Sequence, residues 1–477
     1  MKLKNWQTNL FYLLVFLIPC NLAFHYPLPA SYVSGILVDY LIPTIYLTDI
    51  IILIILILWL SEKFFGLKQT RLYSPKQNLL KPLILFLIFL LPSVFSAVIS
   101  VPAWYKFLKL LLFVLFALFI KEKINFKTQF NSLVNWLSLS LLFQSSLAIL
   151  QWLNQGSVYS YLFFGEQPYT AATPGIDKIV WLNGAIKIPP LGTTPHPNIL
   201  AGFIAITLPF ILYQVLHIGY EPIRKTYYCL TGLMGMATLF LTFSLSAWLA
   251  FLLIGLPAVL LIIQKTRTSP PPRSHQLDLI KNQPRFLEWQ KTLKTNLKLK
   301  TKNNQLKKLK FFLIYIGLLL ILFSLAANFD FLAPQSSFTR RSQLTKIALK
   351  IFKDHPLTGI GLNQFTIKME NYGFITATTR FLQPVHNIYL LVLSETGIFG
   401  LIGFLILIIS PIYKLVKNKS FDPHSLIILA SFLSLLFIGL FDHYPLTIQT
   451  GSLLKFFRCN IPLVFLQQGR KFFKRRN

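Results

Sequence analysis

The chain has 477 residues, 54% of them hydrophobic and only 13% charged, with 44 Phe and a formal net charge of +31. A soluble domain carries about a quarter charged residues, whereas several apolar runs here reach the ~20 residues that a helix needs to cross a bilayer. A soluble globular protein is excluded, and an all-α, polytopic integral membrane protein is expected. The basic excess does not argue for nucleic acid, because such proteins concentrate Lys and Arg in cytoplasmic loops; membrane lipids are the expected surroundings and no nucleic acid is expected as a partner.

The chain opens with MKLKNWQTNLFYLLVFLIPC, which has the outline of a signal peptide ending at Cys20. Pro19 is a poor neighbour for a lipidated cysteine and many spans follow, so 9–24 reads as a first retained helix. About twelve transmembrane helices are expected, near 9–24, 43–60, 80–100, 102–120, 132–153, 197–216, 226–244, 246–264, 311–328, 387–413, 424–441 and 445–466. Their connections alternate in charge. MKLK, EKFFGLKQTRLYSPKQ, KEKINFK, YEPIRK, the stretch 265–310, YKLVKNK and the RKFFKRRN tail are basic. The segments 25–42, 154–195, 329–386 and FDHYP (441–445), with tight turns near 101 and 245, are poorer in charge. The positive-inside rule then gives a multi-pass protein of the cytoplasmic (inner) membrane with both termini cytoplasmic.

The whole chain, 1–477, reads as a single transmembrane domain without an internal repeat. Within it, 154–195 is the first outer loop and 329–386 the large outer loop. The basic cytoplasmic loop 265–310 opens on PPP and serves either orientation and solubility or contact with anionic lipid. Cys20, Cys229 and Cys459 have no metal-ligand spacing and read as small buried hydrophobes.

Chemistry is expected in the two long outer loops. The first ends in LGTTPHPNILAGF and the second in VHNIYLLVLSETGIFG, each leading into a helix N-terminus at the outer surface. Such a terminus favours anions, phosphate above all. His196 with Asn198, and His386 with Asn387, stand at these two ends. Pro197 suits a first helical turn and Asn387 suits a cap. Capping explains the asparagines and leaves the two histidines as candidate functional groups.

Within the second loop, Leu344, Ile347, Ala348, Ile351 and Phe352 recur at helical spacing opposite Arg340, Arg341, Lys346, Lys350 and Lys353. This predicts a basic amphipathic helix lying in the outer interface. It either binds lipid headgroups or turns an arginine inward to hold a diphosphate, which a guanidinium matches bidentately. Gly359 and Gly361 in HPLTGIGLNQF predict a turn with unusual backbone angles, since the phosphate-loop lysine pattern is missing.

Glu395 lies about 13 Å beyond His386 along a helix and on its opposite side, so the two are not a base dyad. A carboxylate at that depth faces protein or a wet cavity, and it is expected to pair with another helix or brace the site from beneath. Gly397, Gly400 and Gly403 would let a neighbouring helix approach. Lys106 and Lys109, one turn apart at the outer end of the fourth span, are either snorkelling anchors or further positive charge for the site.

Arg341 through KIALKIFKDHPLTGIGLNQF to VHNIYLLVLSETGIFGLIGFL resembles the signature region of the O-antigen ligase and polymerase superfamily, and LGTTPHPNILAGF resembles that family's upstream motif. The motif match covers roughly 190–410. The resemblance implies transfer of a glycan from a polyprenyl-diphosphate-linked donor to a hydroxyl of a glycolipid, glycan or protein acceptor at the outer face of the membrane. It implies His386 as the catalytic histidine and Arg341 as a residue of the donor diphosphate. One departure stands out: where the family carries S-R-x-A, this chain reads TFSLSAWLAF, with Leu245 at the arginine's place. Arg340, Arg380, Lys106 and Lys109 are the candidates to supply the missing charge.

The expected reaction is an inverting transfer in which neutral His386 takes the acceptor's proton and cations stabilise the departing diphosphate. The outer segments hold no D-x-D pair, and Asp177, Asp330, Asp354 and Glu370 are scattered, so neither a metal nor a cofactor is called for. The rivals are a transporter or flippase, which predicts several charges inside the spans, and a non-catalytic binder of lipid-linked glycan, for which Leu245 speaks.

Overall fold

The structure is a computed structural model, and it describes residues 2–65, 80–181, 183–218, 221–268, 335–373, 382–417 and 422–453. The chain divides into two units, Met1–Val259 with Gln335–Asn477, and Leu260–Pro334. The second is described only as far as Thr268, as the end of a helix. The expected span 311–328, nearly all of the basic loop 265–310, Arg380, and most of the span 445–466 lie outside the described residues.

The chain is mostly helical, in the order α1 (Lys2–Phe16), α2 (Leu47–Phe65), α3 (Leu80–Phe95), α4 (Ser100–Lys123), α5 (Phe126–Asn154), α6 (Pro197–His217) and α7 (Pro222–Leu241). Next comes α8, which runs from Leu245 through a π turn at Phe251–Gly255 to Thr268. Then follow α9 (Gln335–Asp354), α10 (Ile388–Lys417) and α11 (Pro423–Ile438), with short helices at Phe365–Lys368 and Tyr444–Thr447. Among the described residues, five helices are long and apolar enough to cross a membrane: Ser100–Lys123, Thr128–Asn154, Pro197–His217, Leu245–Gln264 and Ile388–Lys417. Among the described residues, three small antiparallel strand pairs join Ala23–His25 with Thr44–Tyr46, Tyr32–Val33 with Ile36–Leu37, and Ile179–Val180 with Ile186–Lys187. Such two- and three-residue strands carry too little pattern to show in the sequence.

Among the described residues, three of the basic connections begin side by side. Lys63 pairs with Glu122 at 2.8 Å, Lys123 with Glu62 at 2.8 Å, and Gln7 donates to Glu62 at 3.0 Å, so the start of α1 and the ends of α2 and α4 lie side by side. The charge-poor connections meet elsewhere. Tyr161 donates to the carbonyl of Asn21 at 3.1 Å, Tyr105 to that of Thr44 at 2.8 Å, and Asn363 to that of Tyr40 at 3.1 Å.

Two expectations are corrected. The apolar face of α9 does not rest in a lipid interface: Leu344, Ile347, Ala348 and Ile351 are buried against Ile360, Phe365, Met369, Val385 and Leu391 of the protein. An amphipathic stripe looks the same whichever apolar surface covers it. Gly397 of α10 also acts differently from a helix-contact residue. At Gly397 (φ 61°) the helix is broken, and a Cβ there would collide with the Leu357 carbonyl. The orphaned groups on either side of the break are met by the preceding loop. Ile360 and Gly361 donate to the carbonyls of Ser394 and Glu395 at 3.1 and 3.0 Å; Ile398 and Phe399 donate to those of Pro356 and Leu357 at 2.8 and 3.3 Å. Gly403 does admit a helix, since its Cβ would touch Phe89 and Phe86 of α3.

Candidate active site

His386 is held in place by the residues just after it. The Asn387 side chain accepts from the N–H groups of Tyr389 and Leu390 at 2.9 and 3.0 Å, capping α10, and its amide donates to the Leu440 carbonyl at 3.1 Å. The Ile388 N–H donates to the Gly439 carbonyl at 2.8 Å. The start of α10 is thereby fastened to the chain leaving α11, and His386 comes to lie beside FDHYP. Its Nδ1 is 3.7 Å from Oδ1 of Asp442, and its Nε2 is 3.3 Å from Oε1 of Gln383. The His443 ring stands 4.9 Å from the His386 ring, and the Tyr40 ring meets His443 edge-on at 5.3 Å.

The other long loop reaches the same carboxylate through Asn198, just beyond His196. His196 is the N-cap of α6, its Nδ1 accepting from the Asn198 N–H at 3.2 Å, with Pro197 in the first turn. Here the histidine caps, while the Asn198 amide points across to Oδ2 of Asp442 at 3.4 Å. His196 Nε2 meets Asp177 Oδ2 at 3.0 Å. The LGTT turn before it is fixed from α5: Gln151 accepts from Leu191 and Gly192, and Gln144 from Thr193.

Arg341 projects from α9 to the Phe441 carbonyl, at 3.4 Å. Its charge acts on Asp177, His196 and His443, and that of Arg340 on Asp177. Lys106 and Lys109 have protein partners: Lys106 donates to the Leu446 carbonyl at 2.7 Å, and Lys109 pairs with Asp49. Glu395 lies beneath the site, its two oxygens accepting from Asn363 and Phe365 N–H at 3.1 Å each. Gly359 (φ 65°) and Gly361 (φ 108°) form the turn beside it; a Cβ on Gly359 would strike the Glu395 backbone. Leu245 opens α8 and is 44% exposed.

Asp442 and His443 carry no role in the reading of the sequence, where FDHYP counts only as a charge-poor connection. A signal is nevertheless there: an acid and a histidine adjoin at the lip of an apolar run, as the His-Asn pair does at 386. Tyr40 and Gln383 carry no such signal. Asp177, scattered from the other acids in sequence, belongs to the cluster in space.

The electrostatics separate the groups. Burial works against ionisation of Asp442, but the adjoining His386, 3.7 Å away, and His196 beyond outweigh it and hold the carboxyl well below the usual range. Burial pushes His443 down to about 3, helped by His386, His196 and Arg341 and opposed by Asp442, so this imidazole is neutral. At His196, burial is outweighed by the hydrogen bond and charge of Asp177, with Asp442 beyond, and the pKa is raised. At Asp177, burial is outweighed by His196, Arg340 and Arg341, and the pKa is lowered.

Asp442 lies on the Nδ1 side of His386 but beyond hydrogen-bond distance, and Nε2 faces the Gln383 amide oxygen, so the contacts present do not by themselves select the tautomer with a free Nε2. His386, Asp442 and His443 also bring one ligand atom each within 4.8 Å of the others, a donor set able to hold a cation. The Asp442 oxygens, however, already meet N–H groups of His443 (2.8 Å), Tyr444 (3.4 Å) and Asn198 (3.4 Å), as suits a fixed anion.

A histidine, a carboxylate and an arginine thus gather at the ends of apolar helices. Residues 230–405 match the family model described as O-antigen ligase, which supports the resemblance to the O-antigen ligase and polymerase superfamily. The matched segment contains Leu245, Arg341, His386 and Glu395; His196, Asp442 and His443 lie outside it. No curated protein matches the chain at a significant level.

Proposed function

We propose that the protein transfers a glycan from a polyprenyl-diphosphate carrier to an acceptor hydroxyl at the outer face of the cytoplasmic membrane, without a metal. The observation that carries this reading is the placement of Asp442 against Nδ1 of His386, 3.7 Å away, with Arg341 on the neighbouring carbonyl of Phe441. His386 Nε2 takes the acceptor's proton as its oxygen forms the bond to the anomeric carbon. The bond from that carbon to the diphosphate oxygen breaks with its electrons on the leaving group. Asp442 stabilises the imidazolium, and Arg341, with Arg340, takes up the charge of the diphosphate. A twelve-span arrangement with both termini cytoplasmic supplies the outer face this reaction needs.

The test uses purified protein in liposomes with an extracted polyprenyl-diphosphate oligosaccharide and envelope glycolipids as acceptors. Label should leave the carrier with wild type and stay on it with His386→Ala and Arg341→Ala. A ladder of products identifies a polymerase and a single shifted acceptor a ligase. Leu245, in the place of a family arginine, supports a second reading, a non-catalytic binder of lipid-linked glycan. Binding without transfer by the wild type would establish that reading.

A further inference from the structure

The segment that carries Asp442 is fastened by polar groups in an otherwise apolar interior. Asp442 and His443 precede the short helix Tyr444–Thr447, whose Thr447 hydroxyl lies 2.8 Å from His443 Nδ1. Lys106 of α4 donates to the Leu446 carbonyl of this helix at 2.7 Å. Just beyond, Gln449 donates to Thr48 at 2.9 Å and to Asp49 at 2.8 Å, and Asp49 also accepts from Lys109 and from the Tyr46 N–H. On its other side Lys106 faces Glu395, with which it interacts electrostatically and shares a cavity of about 50 Å³ that Tyr40, Asn363 and Thr447 also line. Glu395 in turn holds the backbone of Asn363 and Phe365.

A lysine in this position is costly to bury, and an apolar side chain would fill the same space. What the ammonium adds is direction: three donors that can address a carbonyl and a carboxylate at once. Lys106 thus stands between the two parts of the chain that supply the reacting pair. One is the 442–447 segment, reached through Leu446; the other is α10 with its braced loop, reached through Glu395.

Resting on the transfer reading above, we infer that Lys106 is a positioning residue. By donating to the Leu446 carbonyl, with Glu395 across the shared cavity, it fixes the 442–447 segment from α4 and so sets the contact between Asp442 and His386. Lys106 then acts through the base and does not bind the donor diphosphate.

The experiment compares full-length wild type, Lys106→Met and Lys106→Gln in liposomes with the lipid-linked oligosaccharide as donor. Lys106→Met should lower kcat by about 10²-fold, the effect of misplacing a reacting group by about 1 Å, and leave KM for the donor within about twofold. Lys106→Gln keeps a donor for Leu446 and should recover most of kcat. A second readout needs no turnover: modification of His386 and His443 by diethyl pyrocarbonate, followed by peptide mass spectrometry. Both histidines should react several-fold faster in Lys106→Met than in wild type. A rise in KM with kcat unchanged would make Lys106 a diphosphate ligand and overturn the inference. Unchanged kcat and unchanged labelling would reduce it to a space-filler. If the wild type itself transfers nothing, the transfer reading fails, and the labelling alone decides for or against Lys106.

Discussion

Oδ1 of Asp442 lies 3.7 Å from Nδ1 of His386, although the two residues stand at opposite ends of the α10–α11 helical pair. On the transfer reading proposed above, this placement lets the carboxylate stabilise the imidazolium as it forms. Replacing Asp442 by Asn keeps the shape and removes the charge that favours the imidazolium. Asp442→Asn should lower kcat by about 10²–10⁴-fold, the range of a general-base contribution, with little change in donor KM. Steady-state kinetics in liposomes measure this, and a kcat within twofold of wild type would remove Asp442 from the mechanism.

Arg341 separates charge from geometry. A lysine keeps the charge but loses the planar fork of donors that matches phosphate oxygens. Arg341→Ala should raise donor KM and lower kcat together, with kcat/KM down about 10²-fold or more for a lost charge clamp, and Arg341→Lys should recover only part. A Lys variant equal to wild type would show that position and charge suffice.

Gly359→Ala and Gly397→Ala each place a Cβ into backbone across the break in α10, at φ 65° and 61°. Both strain and collision act, so a loss of several kcal/mol is expected, beyond the roughly 1–3 kcal/mol of a single strained backbone position. Thermal unfolding in detergent should shift down steeply for both. Gly400→Ala would meet only the Thr396 side chain of its own helix, which can turn aside, and should be milder.

The Asp177–His196 pair is pH-dependent in a defined sense. The pKa of His196 is raised, so its contribution is complete below the ordinary histidine value of about 6.5 and is lost as pH rises through the raised value. The pKa of Asp177 is lowered, so at the acid end the contribution is lost as pH falls through that lowered value. Both side chains are about half exposed (45% and 53%), so the effect is local and modest. Hydrogen exchange across 176–181, corrected for the intrinsic pH dependence, should accelerate above the histidine transition in wild type. His196→Gln should be fast throughout.

Chelation should leave transfer unchanged, since Asp442 already meets N–H donors. Added Zn²⁺ should lower it by capturing the His386–Asp442–His443 donor set. Loss of activity in EDTA that is restored by a divalent ion would put a metal at this trio.

How much the sequence discloses depends on how local each signal is. The long apolar runs at Ser100–Lys123, Pro197–His217 and Ile388–Lys417 announce themselves, because bilayer-length hydrophobicity is a property of contiguous residues. The Asn387 cap and the turn at Gly359 and Gly361 are likewise local, and the bracing by Glu395 stems from the cost of burying a charge. The partners of Asp442 lie on α6 and at the start of α10, distances in sequence that no periodicity encodes. Lys106 and Lys109 look like interfacial anchors, since a pattern of one turn does not say whether a side chain bends toward lipid or inward. The α9 stripe is equally silent about whether lipid or HPLTGIGLNQF covers it.

The break at Gly397 bears on how the protein is made. With 356–361 undocked, α10 would enter the hydrocarbon with unmet carbonyls at Ser394 and Glu395 and unmet N–H groups at Ile398 and Phe399, each costing on the order of several kcal/mol there. The loop is synthesised first and must wait for the helix that completes it. Insertion of α10 and docking of the loop are then one thermodynamic event. A ribosome-bound chain that stops short of α10 has neither its base nor the loop in place, and the carboxylate arrives only with the segment after α11. On the transfer reading proposed above, the reacting pair is complete only once the segment after α11 has folded against the start of α10.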